Sequence, residues 1–63
     1  MFLELDLCYA VLLTTGVVVR FRFVGNDAQT GDLIVIPFGS TERVNLFTVI
    51  AGGFHAYNEI PCQ

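Results

Sequence analysis

Few side chains in this 63-residue sequence could perform acid–base or nucleophilic chemistry. His55 is the only histidine, and a nucleophile such as Ser40 or Thr41 needs a base within hydrogen-bond reach. No spacing in the sequence places either hydroxyl, or a cysteine thiol, beside His55. Glu42 and Glu59 likewise have no second carboxylate at a local spacing that would pair them for general acid–base catalysis. The sequence therefore predicts no catalytic residue and a protein that is not an enzyme.

Metal ligands are equally scarce. Cys8 and Cys62 lack the spacing of a zinc site, and with only His55 beside them a four-ligand site would need other chains. Asn26 and Asp27 lie in a polar loop closed by Asp32, which offers oxygen ligands but fits no calcium-binding loop. Turns stabilised by Asp and Asn side chains explain these residues better. We predict no metal and no cofactor.

The cysteine count also bears on the compartment. The two cysteines could close a long loop as a disulfide, but a secreted domain of this size normally carries four or more. We therefore expect free thiols. Glu4 and Asp6 stand where a secretory signal would have Lys or Arg. Residues 7–19 are uncharged, but they are fewer than the roughly 20 residues of a membrane-spanning helix. These features predict a cytoplasmic protein without a membrane span.

The charge of the chain argues against two classes of partner. The formal net charge is −3, from three Arg, no Lys and six acidic residues. Nucleic-acid binders neutralise phosphates with clustered positive charge, and anionic membrane surfaces attract the same kind of patch. Three arginines in an acidic chain do not supply one. We predict no nucleic-acid partner and no membrane partner.

The apolar content points to an interface. Hydrophobic residues make up 54% of the chain and charged residues 14%, against about 45–50% and about 25% in ordinary domains. A chain this short encloses too few positions to bury all of them, and exposed apolar patches usually mark interfaces. Self-association is the prediction, and a poorly soluble monomer is the alternative. The candidate partner-binding residues come from two apolar runs and are Leu33, Val35, Phe38, Val44, Leu46 and Phe47.

The elements that must position these residues begin with a hairpin. Residues 2–13 and 17–24 alternate between apolar and polar side chains, which is typical of strands, with a helix as the alternative for the first. A two-residue loop would pair Val11 with Arg20 and mix core with charge. A three-residue loop with Gly16 at its left-handed position makes one face wholly apolar. It predicts the pairs Leu13–Val17, Val11–Val19, Tyr9–Phe21 and Leu7–Phe23. The opposite face then carries Asp6, Cys8, Ala10, Arg20 and Arg22.

Three further strands are predicted at 32–38, 44–51 and 54–60. Pro37 should end the first of these, because proline cannot donate to a ladder. Residues 41–51 are helical in the alternative, with Ser40 or Thr41 as the N-cap. Five short strands with Gly-rich turns predict an all-β protein, or a β-rich α+β protein if 41–51 is a helix. The expected architecture is one domain over 1–63, a small antiparallel sheet or a partly open barrel.

Residues 31–39 have the sequence Gly-Asp-Leu-Ile-Val-Ile-Pro-Phe-Gly, and this segment resembles part of the second sequence motif of the cupin barrels. In that family a Gly-Asp turn opens a strand and a Pro-x-Gly turn closes it. Glu42 stands where metal-binding cupins usually have a histidine ligand, Leu46 stands at the following asparagine position, and the paired histidines of the first motif are absent. The resemblance covers nine residues and implies a small β-barrel with a ligand or metal pocket, which Glu42 and His55 would form between subunits.

Together these features predict a small protein-binding or assembly module. It associates with itself and binds another protein, as an inhibitor or regulator does. The alternative is the cupin-like pocket between subunits. A purely structural role in a larger assembly is a third hypothesis, which the sequence does not distinguish from the first.

Overall fold

The structure, a computed structural model, describes residues 1–62. It contains five antiparallel strands in one open sheet and one short helix. The strands are β1 (Cys8–Leu13), β2 (Val18–Asn26), β3 (Leu33–Pro37), β4 (Val44–Asn45) and β5 (Phe54–Ile60), and the helix is α1 (Leu46–Val49). Their order in the sheet is β4-β3-β2-β1-β5. The predicted fold class is confirmed, and of the two predicted architectures the chain forms the small antiparallel sheet rather than the partly open barrel.

The predicted hairpin register is confirmed. Tyr9 lies opposite Phe21 and Val11 opposite Val19 in the β1–β2 ladder. Leu13 N donates to Val17 O at 2.8 Å, so three residues form the loop. Gly16 has a φ of 90°, in the left-handed region that a side chain disfavours. The need to keep one face apolar therefore fixes the register, because a slip of one residue would expose every core side chain.

The N-terminal strand is shorter than predicted. The alternation from residue 2 suggested one strand over 2–13, but β1 begins only at Cys8. Asp6 has a φ of 66°, which interrupts the extended conformation, and Leu7 N donates to Glu4 O at 3.3 Å. Leu3 packs against the core from this segment. The alternation thus reflects a segment that folds back over the apolar face, where burying Leu3 outweighs continuing the ladder.

The segment 44–51 is divided between the two predicted conformations. Residues 44–45 form β4, and a single helical turn follows. The predicted caps Ser40 and Thr41 lie upstream of this turn, and the N-cap is Asn45, whose side-chain oxygen accepts the N–H of Phe47 at 2.8 Å. The turn places Leu46 and Ile50 in the core together. Their burial and the Asn45 cap outweigh the strand preference of the β-branched residues.

The core lies on one face of the sheet. Aromatic rings form its centre, with the centroids of Tyr9 and Phe21 6.1 Å apart and those of Tyr9 and Tyr57 6.4 Å apart. The N-terminal segment and the α1 region contribute apolar side chains to the same face. The buried members of the cluster are Tyr9, Val11, Phe21, Phe23, Val35, Leu46 and Ile50. The opposite face of the hairpin, which we call the outer face, carries the even-numbered side chains of β1.

The expectation of free thiols is wrong, because Cys8 and Cys62 form a disulfide with their Cα atoms 5.3 Å apart. The physical reason is the pairing of β5 with β1, which sets Ile60 opposite Cys8 and brings Cys62 to the same end of the sheet. Disulfides persist mainly in oxidising compartments, so the bond removes one argument for the cytoplasm. The cytoplasmic location remains a prediction. Among residues 1–62, no helix is long and apolar enough to cross a membrane.

Candidate functional site

Four of the six predicted partner-binding residues contribute to the core. Val35 and Leu46 are fully buried, each 0% exposed. Leu33 and Val44 are partly buried and pack against the same cluster. The apolar character of these four residues therefore stabilises the fold of this chain, and Val35 and Leu46 have no surface left for a partner.

The other two predicted residues reach the surface. Phe47 is 59% exposed on α1, which contacts β3 and β4 at one edge of the sheet. Phe38 is half-buried and lines a depression of about 240 Å³ together with Cys8 and Arg22. Ligand pockets usually have about 300–1,000 Å³, so this depression is small for one. Phe47 is thus the member of the predicted set that is most open to a partner.

Several other large apolar side chains remain exposed, and the sequence did not single them out. One group lies on the hairpin, where Leu12 is opposite Val18 on the outer face and Val17 follows the loop. The signal for Leu12 and Val18 was present in the sequence, because the predicted register puts both opposite the core. The second group belongs to the N-terminal segment and comprises Met1, Phe2 and Leu5.

Phe2 is the most exposed of all these side chains, at 74%. Its backbone N–H donates to the hydroxyl of Tyr57 at 2.9 Å, and Tyr57 lies near the middle of β5. The fold therefore anchors the most exposed large apolar side chain to an edge strand of the sheet. The two residues are 55 positions apart in the chain, so no local pattern in the sequence could indicate this contact.

The direction of the backbone groups in β1 follows from two hydrogen bonds to the β2 side of the ladder. Leu13 N donates to Val17 O at 2.8 Å, and Phe23 N donates to Leu7 O at 3.0 Å. Successive residues of an antiparallel strand direct their N–H and C=O groups to opposite sides. The odd-numbered residues of β1 therefore bond to β2, and the even-numbered residues bond to β5.

The same rule shows which groups of β5 are free. The even-numbered residues of β1 pair with residues of β5, and the pairs are Cys8–Ile60, Ala10–Asn58 and Leu12–Ala56. Tyr57 and Glu59 lie between these partners, so their N–H and C=O groups point away from the sheet. The Asn58 side chain donates to Glu59 O at 3.3 Å, as expected for a carbonyl that β1 does not use. The outer edge of β5 is thus a row of backbone donors and acceptors without a strand partner in residues 1–62.

A second depression, of about 350 Å³, is polar but is explained by loop structure. Arg43 and Asp27 are among its lining residues. One Asp27 carboxylate oxygen accepts the N–H groups of Gln29 at 2.8 Å and Thr30 at 3.0 Å, which confirms the predicted aspartate turn. These hydrogen bonds stabilise the carboxylate and therefore lower the pKa of Asp27 below its usual range. The bond from Thr30 has the largest effect, and the bond from Gln29 follows. The Asp27 carboxylate thus stabilises the turn of this loop.

The residues of the cupin-like hypothesis lie far apart in one chain. Glu42 precedes β4 at one edge of the sheet, and His55 lies in β5 at the other. Four strand spacings of about 4.8 Å each separate the two edge strands. Residues 1–62 contain no group of three or more His, Cys, Asp or Glu side chains that could hold a metal ion. A pocket formed between subunits by Glu42 and His55 remains a prediction.

The chain matches no protein-family model, no curated protein sequence and no solved structure.

Proposed function

We propose that this protein is a non-enzymatic assembly module that associates with itself through β5 and the N-terminal segment beside it. The observation that supports this most directly is the combination at one edge of the sheet. A seven-residue strand has unpaired backbone groups there, and its Tyr57 anchors the 74% exposed Phe2. We call Phe2 together with the outer edge of β5 the β5 surface.

Two physical terms favour association at the β5 surface. An unpaired strand edge is a template for pairing with another chain, because its N–H and C=O groups are already aligned. Burying a phenylalanine side chain stabilises a complex by about 1.5–3 kcal/mol, and a symmetric dimer would bury Phe2 twice. The proposed occupant is a second copy of this chain, since the copy brings the same exposed ring to the same place.

The mass in solution, measured by sedimentation velocity from about 1 μM to 1 mM, tests this proposal over the affinity range of weak and moderate complexes. A discrete oligomer with a defined dissociation constant is the expected result. Phe2→Ser should raise that constant at least tenfold while keeping the backbone N–H that Tyr57 accepts. Phe47→Ser is the matched control, because Phe47 is also exposed but lies on α1 near the opposite edge of the sheet.

Two results would contradict the proposal in different ways. If the wild-type chain stays monomeric at every concentration, self-association is excluded. The exposed apolar side chains would then indicate that the partner is a different protein. If Phe47→Ser dissociates the oligomer and Phe2→Ser leaves it intact, the interface lies at α1, which contains the predicted partner-binding residue Phe47.

A further inference from the structure

We infer that two copies of this chain pair antiparallel along β5 with Tyr57 opposite Tyr57 of the second copy, so that one sheet continues through the dimer. The inference rests on the proposed function, because it specifies the partner and the register at the β5 surface. It follows from the edges of the sheet, the backbone groups of β5 and the order of its side chains.

The two edges of the sheet differ in what they offer. β4 has two residues and leads directly into α1. Short edge strands are one way in which proteins prevent unwanted pairing. β5 has seven residues, and four of them, namely His55, Ala56, Asn58 and Glu59, are exposed. Of the two edges, β5 therefore offers the longer template for a continuous sheet.

Only certain registers use the free backbone groups of β5. The backbone groups of Tyr57 and Glu59 point outward, and β5 spans Phe54–Ile60. An antiparallel copy pairs both residues with residues of its own β5 only when the twofold axis passes through Tyr57 or through Asn58. The β1–β5 register shifts between Leu12 and Leu13, which leaves His55 without a partner in β1. Centring on Tyr57 pairs the two Tyr57 residues and sets each Glu59 opposite a His55 whose backbone β1 does not use.

The side chains distinguish the two registers. With Tyr57 at the axis, His55 faces Glu59 of the second copy, and this contact occurs twice. Imidazole and carboxylate are complementary partners across strands, and such pairs stabilise a ladder. Ala56 then faces Asn58, and both side chains lie on the outer face. With Asn58 at the axis, Glu59 faces Tyr57 instead and the complementary pair is lost.

Proline substitution at Glu59 tests the pairing itself. Glu59→Pro removes an N–H that points away from β1, so the ladder within one chain keeps all its bonds. We expect a dissociation constant at least tenfold higher, with an unchanged circular dichroism spectrum. Glu59→Gln is the matched control that keeps the N–H, and it should raise the constant less than Glu59→Pro. An oligomer that is equally tight with Glu59→Pro would overturn the inference and remove the outer edge of β5 from the proposed interface, while self-association through Phe2 would still stand and would be tested by Phe2→Ser.

Cysteine crosslinking tests the register. His55→Cys and Glu59→Cys are prepared separately and mixed under mild oxidation, with the native disulfide verified by peptide mapping. The mixture should form a crosslink between His55→Cys and Glu59→Cys chains, and the Asn58→Cys variant should form none with itself. Crosslinking by Asn58→Cys alone, with none in the mixture, would overturn the register centred on Tyr57. A wild-type monomer would overturn both this inference and the proposed function.

Discussion

Breaking the disulfide between Cys8 and Cys62 should remove a large share of the stability of this protein. The bond joins residues 54 positions apart, so it closes nearly the whole chain into one loop. Reduction by a phosphine, or the substitution Cys62→Ala, releases this constraint and changes little else, because Cys62 is exposed. The effect therefore acts chiefly on the unfolded state, which gains conformational freedom when the loop opens.

The magnitude follows from the loop length. For a separation of 54 residues, the chain-entropy relation gives about 4 kcal/mol at 25 °C. A 63-residue chain at about 0.05–0.15 kcal/mol per residue has a total unfolding free energy of about 3–9 kcal/mol. The reduced chain should therefore be marginally stable or unfolded. Cys8→Ala should lower the stability by about 1 kcal/mol more than Cys62→Ala, since Cys8 is only 1% exposed and its removal leaves a cavity.

Urea titrations with and without the reductant, followed by circular dichroism, measure this effect. With a slope of about 1–3 kcal/mol per molar, the midpoint should fall by roughly 1–4 M. Cys62→Ala without reductant should match the reduced wild type. Coincident curves for the oxidised and reduced chains, with the bond verified by mass spectrometry, would refute the loop-closure reasoning.

Three further predictions concern single groups. Gly16→Ala should lower stability by about 1–2 kcal/mol from backbone strain alone, since the added Cβ meets no atom within 4 Å; a urea midpoint equal to that of the wild type would contradict this. Tyr9→Phe should speed hydrogen exchange at the Glu4 amide, which donates to the Tyr9 hydroxyl at 2.8 Å, and unchanged protection would argue against that bond. The lowered pKa of Asp27 means that its carboxylate supports the loop above the usual pKa range of aspartate and that this support is lost as the pH falls through its folded value. The NMR chemical shift of the Thr30 amide, followed during an acid titration, should change as Asp27 becomes protonated, and Asp27→Asn should abolish this change. A change that persists in Asp27→Asn would assign the titration to another group.

The parts of the fold that could be predicted from the sequence are those fixed by local patterns. The β1–β2 register followed from two alternating runs and one glycine, because only one loop length kept charge out of the core. The bounds of β5 followed from its alternation and from Gly53 and Pro61 on either side. In both cases the information lies within one or two neighbouring elements.

The parts that could not be predicted depend on contacts between the ends of the chain. The pattern of the N-terminal residues is the same whether Leu3 continues a strand or covers the core, and the second arrangement is held by hydrogen bonds to the hydroxyls of Tyr57 and Tyr9. Cys62 meets Cys8 because β5 returns to the edge beside β1, which the order of the elements does not determine. Leu33, Val44 and Leu46 were predicted to bind a partner because they lie in apolar runs. Their side chains pack in or against the core instead, and an apolar run alone does not distinguish a core segment from an interface.

The disulfide and the proposed dimer act on opposite sides of the same strand. Ile60 pairs with Cys8, and a disulfide joins Cys8 to Cys62. The edge of β5 that faces β1 is therefore held in place up to the end of the strand. The opposite edge of β5 then presents the backbone groups of Tyr57 and Glu59 in a fixed geometry. This lowers the entropic cost of pairing with a second chain. A partner that binds only the folded chain in turn stabilises it by mass action. Opening the disulfide should therefore weaken self-association as well as folding, because both depend on an ordered β5.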